Sequence, residues 1–212
     1  IKPRKVKPSC IIYADFECST NGNKHKEYCI CADKTDLNNY ILDHFEEFSK
    51  DCATSFLDWC DDNALIYFHN LSYDMNFLLK HFKCVKGSPI IFNGRDMSYK
   101  VIYDKKTLTL RDSYAMISSK LEQFPSMFKL KTGVKEAFPY DYYTSERVVK
   151  GIGNINDALE FVKPSLKQQF LNNIETLNVK IDDESFDMKK YALFYCNQDV
   201  RILREGFGKF RT

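Results

Sequence analysis

An α/β fold is expected for this chain, and three observations carry the expectation. Apolar runs bounded by polar residues, Cys10-Ile-Ile-Tyr-Ala and Ala64-Leu-Ile-Tyr-Phe, read as strands buried in a sheet. Stretches with apolar residues at helical spacing, above all Met188 to Arg204, read as helices. No repeat, low-complexity tract or flexible linker divides the 212 residues, so residues 1–212 are expected to form one domain around one sizeable core.

In chain order, Ile11 to Phe16, Glu27 to Cys31 and Tyr40 to Leu42 predict successive strands. A helix is expected from Phe45 to Trp59, then the strand ending at Phe68, then a helix from Tyr73 to Phe82 with Phe77, Leu78 and Phe82 at core spacing. Ser98-Tyr-Lys-Val-Ile-Tyr and Thr107-Leu-Thr-Leu-Arg alternate, and Asp104-Lys-Lys between them reads as the turn of a hairpin. Residues 113–150 look irregular. Asn156 to Leu177 and Asp187 to Phe207 predict helices, the first interrupted or kinked at Pro164, which cannot donate a backbone hydrogen bond.

Four carboxylates stand out. Asp15 and Glu17 lie two apart near the end of a predicted strand, so they share a face and would repel unless a cation sat between them. Hard ions that prefer oxygen, magnesium or manganese, suit such a pair. His69-Asn70 forms the polar exit of the next strand, and Asp74 falls in the first turn of the following helix, where the dipole favours an acid. Tyr195 and Asp199 are four apart and stack on one helix face, so the phenol can hold a water while the acid takes a metal.

Jointly, Asp15-Phe-Glu17, Tyr67-Phe-His-Asn-Leu-Ser-Tyr-Asp74 and Tyr195-Cys-Asn-Gln-Asp199 resemble the three motifs of DEDDy-type 3'-5' exonucleases, the proofreading domains of many DNA polymerases. The second string is similar to that of protein-primed family B DNA polymerases. The resemblance extends through Ser119-Lys-Leu-Glu-Gln-Phe, Met127-Phe-Lys-Leu, Lys135 and Phe138-Pro-Tyr-Asp-Tyr, and so spans Ser9 to Arg204. Residues 20–60 and 150–187 carry no motif of it, and Ser119-Lys-Leu is one residue longer than the family's Ser/Thr-Leu pair.

The resemblance implies a ribonuclease H-like three-layer fold, a mixed central sheet flanked by helices. It implies an enzyme that removes nucleotides from the 3' end of single-stranded DNA by phosphodiester hydrolysis. Asp15, Glu17, Asp74 and Asp199 would hold two Mg2+ or Mn2+ ions roughly 3.5–4 Å apart. Tyr195 would orient the attacking water, because a phenol ionising near about pH 10 is a poor base at neutrality. Lys135 would contact the scissile phosphate or order the water network. Tyr67, His69, Asn70 and Tyr73 would guide the terminal nucleotides, with Ser119, Leu121 and Tyr140 as further contacts within a DNA-contacting region at 113–150.

The remaining features bound the partners. Net charge is only +2, but Lys129, Lys131, Lys135, Arg147 and Lys150 surround Phe138, Tyr140, Tyr142 and Tyr143, a mix that suits a single strand. Eight scattered cysteines fit reduced thiols in an intracellular domain better than a disulfide framework, and Cys29-Ile-Cys31 with nearby His25 has no second pair at zinc-ligand spacing. No run is long enough to cross a membrane, and no signal peptide opens the chain. Neither an Asp-Thr-Asp nor a Ser-Leu-Tyr-Pro string of polymerisation is present, and the first residue is Ile. The expectation is an exonuclease domain working with a polymerase domain in cis or as a separate subunit, and with a frayed primer end or a terminal protein as partner. Two other classes share parts of the pattern: a stand-alone ribonuclease or oligonucleotide exonuclease of the same fold, and a non-catalytic binding module.

Overall fold

The computed structural model describes residues 6–21, 24–92, 94–131 and 137–211. The strands are β1 (Ile11–Asn21), β2 (Lys24–Thr35), β3 (Ile41–Phe48), β4 (Leu65–Phe68), β5 (Lys83–Cys84), β6 (Ile90–Phe92), β7 (Arg95–Tyr103), β8 (Lys106–Asp112), β9 (Ile152–Asn154) and β10 (Ser185–Asp187). The helices are α1 (Cys52–Trp59), α2 (Leu71–Leu78), α3 (Phe124–Met127), α4 (Ser145–Lys150), α5 (Ile155–Leu159), α6 (Lys167–Thr176) and α7 (Met188–Phe210).

Alternation along β1 builds the layers. Ile12, Ala14 and Phe16 pack with Phe56 and Leu57 of α1 and Met75 and Leu78 of α2. Ile11 and Tyr13 point the other way, into a core with Tyr191, Val200, Leu203 and Phe207 of α7. Successive strand residues face opposite sides, so one strand serves two cores. The sheet between them runs β3-β2-β1-β4-β8-β7-β5, with β6 beside β7. It is mixed: β1 pairs parallel with β4 and β4 with β8, whereas the β1–β2, β2–β3 and β7–β8 pairs are antiparallel. This is the ribonuclease H-like three-layer arrangement. Among the described residues no helix is long and apolar enough to cross a membrane.

Several expectations hold and several change. The β7–β8 hairpin turns at Asp104-Lys105, with Asp104 at φ 51°. Pro164 divides the expected 156–177 helix into α5 and α6. The expected helix from Phe45 is corrected, because Phe45 to Phe48 extend β3 and only Cys52–Trp59 is helical. Phe45 is apolar at a spacing that fits a helix, but pairing with Ala32 at the sheet edge supplies backbone partners and sets its ring on Phe56 and Trp59. The helix expected from Tyr73 begins at Leu71 and ends at Leu78. The small β9–β10 sheet was not foreseen; three-residue strands carry almost no alternation to read.

The edge is tied to α7 through one buried acid. Asp33 on β2 accepts from His44 Nδ1 of β3 at 2.8 Å and from Arg204 Nε of α7 at 2.7 Å. Burial opposes its ionisation, but the His44 and Arg204 hydrogen bonds win and hold its pKa below the usual value. The Asp33 contact raises His44 above 6.5. The His44 contribution is therefore complete below pH 6.5 and lost as pH rises through its raised pKa. Asp33 contributes above 3.8 and loses that as pH falls through its depressed one. His44→Gln should cost less than about 1 kcal/mol, because the imidazole is partly exposed. Denaturant unfolding should show that cost at pH 6 and its shrinkage at pH 8; an equal cost at both values would reject the pairing.

Candidate active site

Asp15 and Glu17 continue the Ile11, Tyr13 set of β1 and therefore face α7. Just beyond them the β1–β2 register shifts between Glu17 and Cys18, an irregularity of the kind that re-aims side chains at sheet ends. Glu17 is buried and Asp15 partly so. Asp74 reaches the same place from α2. The chain leaves β4 and turns through Asn70 at φ 75°, a left-handed conformation that Asn tolerates better than most residues. The neighbouring parallel strand holds that turn: Asp112 Oδ1, at the end of β8, accepts from the backbone N–H of Asn70 and of Tyr114, both at 2.9 Å. Asp199 comes from α7, seated against β1 by the Cys196 thiol donating to the Asp15 carbonyl at 3.2 Å.

The four acids line one cavity of about 220 Å³, together with Tyr140, His69 and Asn70. Glu17, Asp74 and Asp199 are each at least nine-tenths buried, and no Lys or Arg is among the described residues of the lining. Burial, and next the charge of Asp15, push the Asp74 carboxyl well above its usual pKa, against backbone hydrogen bonds from Asp74 and Phe16. Such a cluster cannot carry its full charge without a cation. An all-carboxylate donor set fits a hard divalent ion, and so the residues present suit magnesium or manganese.

Tyr195 is buried, and its hydroxyl is hydrogen-bonded to that of Tyr140, which is 45% exposed. Burial first, then the Asp199 charge and Tyr140, drive the Tyr195 pKa far above 10. His69 is held on both nitrogens: Nε2 donates to the Ser119 carbonyl at 3.0 Å, and Nδ1 shares a hydrogen with Ser113 Oγ at 2.9 Å. Its ring lies against Tyr114 and Phe124. Phe124 in turn sits so close to Gly206 of α7 that a Cβ there would meet its ring at 2.5 Å, which is why no larger residue fits.

Asp15, His69, Asn70 and Asp199 also line an adjoining groove of about 640 Å³, whose other wall includes Arg95, Lys120 and Leu121. Tyr73 is 36% exposed on the carboxylate cavity. Most of the residues expected at the site are thus brought together. Tyr67 is corrected: it is 4% exposed, with its ring packed on Tyr13 and Phe207 in the core behind the sheet. Ser119 contributes a carbonyl to His69 rather than a hydroxyl to the groove. Lys135 lies outside the described residues.

Sequence reading missed Asp112, Tyr114, Arg95 and Cys196. Asp112 and Tyr114 could have been found, since β8 ends level with β4 and its exit residues fall beside His69 and Asn70. Arg95, stacked over Tyr114 at 5.0 Å, left no local signal. Cys196 joins Cys29 and Cys31 in a buried group of three thiols, a third member that no local ligand spacing announces. Burial raises all three thiols well above their usual pKa, so they stand protonated.

A ribonuclease H-like domain with four converging acids is the class that fold and site define. The family described as DNA polymerase type B, organellar and viral, matches residues 59–212, and the chain belongs to it. The DNA polymerase of Streptococcus phage Cp-1 is 25% identical over 138 residues, covering 58% of this chain and 24% of that protein. Phi29 DNA polymerase has the same fold over about a third of its length. In its complex with single-stranded DNA the TM-score is 0.57 at 17% identity, covering 96% of this chain and 32% of that one. With primer-template DNA and incoming nucleotide it is 0.56 at 17%, covering 97% and 32%. The chain therefore spans about a quarter to a third of the polymerases it matches.

Proposed function

We propose that this domain is the metal-dependent 3'-5' exonuclease of a family B DNA polymerase, shortening single-stranded or frayed DNA from its 3' end. One observation carries the reading: acids from β1, α2 and α7, remote in sequence, open into one cavity that adjoins a groove bearing Arg95 and Lys120. Asp15, Glu17, Asp74 and Asp199 would hold two divalent ions, which when bound would acidify the attacking water and offset charge on the scissile phosphate.

The chain's own residues do the rest. The groove cations hold phosphates, and the clamped ring of His69 offers an edge to the terminal nucleotide. Tyr195 keeps its proton throughout and can only orient a water by hydrogen bonding, with Tyr140 as the exposed partner that would carry that contact into the cavity. Water's oxygen bonds to phosphorus as the 3' oxygen leaves and takes a proton, releasing a nucleoside 5'-monophosphate.

The proposed setting is beside a polymerase domain, in cis or as a subunit, with a primer terminus or terminal protein as partner. The test uses matched single-stranded DNA and RNA labelled at the 5' end. DNA should shorten progressively from the 3' end in Mg2+ or Mn2+ and stop in EDTA. Preferential RNA digestion would make it a ribonuclease of the same fold, and digestion from the 5' end or in EDTA would reject the reading outright.

A further inference from the structure

Cys29 and Cys31 alternate on β2 and so share a face, and the β1–β2 pairing sets them directly across from Glu17 and Asp15. Cys196 meets them from α7. The three sulfurs lie within 4.8 Å of one another, and each thiol is in hydrogen-bonding contact with the other two. Three sulfurs around one ion at the usual zinc–sulfur distance of about 2.3 Å stand about 4 Å apart, so the triangle needs little contraction to close on one. All three residues are fully buried, the setting of a structural metal centre rather than of a reactive thiol.

Two neighbours complete the setting. Cys196 Sγ also lies within 4.8 Å of carboxylate oxygens of Asp15 and Glu17, which line the carboxylate cavity. These acids offer oxygen for a fourth position, and they put the thiols one ligand exchange from an ion that enters the cavity. Tyr28 lies within electrostatic reach of Cys29 and Cys196, and its buried hydroxyl has no hydrogen-bond partner among the described residues. Buried hydroxyls are nearly always partnered. Protonated thiols are weak acceptors, whereas metal-bound thiolates accept well and are commonly held by such an outer donor.

We infer that Cys29, Cys31 and Cys196 hold one thiophilic divalent ion of the zinc class, which ties β2 to α7. On binding, three S–H protons pass to solvent and three sulfur–metal bonds form, with no electron transferred. Soft sulfur selects such an ion against the magnesium or manganese that suits the all-oxygen set beside it. The bound ion fixes the helix bearing Tyr195 and Asp199 against the strands bearing Asp15 and Glu17.

The probe is Cd2+ alone, titrated into freshly reduced protein in excess Mg2+ while thiolate-to-metal charge-transfer absorbance is read in the ultraviolet. One Cd2+ per chain should bind with the intensity of three thiolates, since carboxylate-bound Cd2+ has no such band. Cys18→Ala/Cys84→Ala, which removes the two cysteines that are not buried, should leave the band unchanged. Cys31→Ala should weaken binding at least about tenfold, because losing even an outer partner of a metal ligand costs that much. The rise in Tm that Cd2+ gives the wild type should shrink with it. No band at one equivalent, a band lost in Cys18→Ala/Cys84→Ala, or full affinity in Cys31→Ala would overturn the inference. Should Cys31→Ala not fold, the wild type decides alone: an intensity of fewer than three thiolates per ion rejects the site. None of these readouts requires digestion of DNA, so the site and the exonuclease reading stand or fall separately.

Discussion

Asp74→Asn is expected to reduce 3' digestion by about three powers of ten or more while leaving the fold at least as stable as before in chelator. The two halves have one cause. Asp74 is nearly inaccessible, and burial together with the Asp15 charge raises its carboxyl pKa well above 3.8. An acid whose folded pKa is raised stabilises the fold below its unfolded pKa and loses that stability as pH rises through the folded one. In EDTA the wild type should thus lose stability with rising pH above about 4, and Asp74→Asn should lose less. Divalent ions should reverse the order by stabilising the wild type and not the variant. Thermal unfolding with and without Mn2+, across pH, reads all of this. A variant that unfolds in EDTA would make Asp74 a structural residue; one that keeps its digestion rate would remove it from the metal site.

Tyr195→Phe is expected to lower single-turnover digestion by about one to three powers of ten without changing the manganese concentration needed for half-maximal rate. Its ring is buried and stacked on Phe138, so the substitution preserves packing and removes only the hydroxyl bonded to Tyr140. Tyr140→Phe cuts the same hydrogen bond from the exposed side. If the pair acts as one relay to water, the double variant should be little worse than Tyr195→Phe alone. Asp199→Asn should instead shift the manganese requirement. Recovery of full rate by Tyr195→Phe at higher manganese would make the phenol part of the ion site, and strictly additive losses would separate the two tyrosines.

Both tests depend on residues that the local spacing of the chain already singles out. Asp15 and Glu17 share a face because strand alternation admits no other outcome, and Tyr195 and Asp199 stack because four residues make about one helical turn. The β7–β8 hairpin and the break at Pro164 are equally local, and each is found. Phe45 failed for the opposite reason. Its spacing fits a helix, and its strand identity comes from Ala32, a partner distant in the chain. Tyr67 sits in a motif string whose neighbours line the groove, but its strand parity turns it toward Phe207.

By itself the sequence determined that Asp15 and Glu17 share a strand face and that Tyr195 stacks on Asp199, because strand and helix periods are properties of neighbouring residues. Tertiary structure alone decided what those groups meet. It set Asp112 under the Asn70 turn, Cys196 against Asp15, and Tyr140 on Tyr195. Those contacts join residues far apart in the chain, and their geometry follows from how β1, β4 and β8 align and how α7 seats across them, which no local pattern encodes.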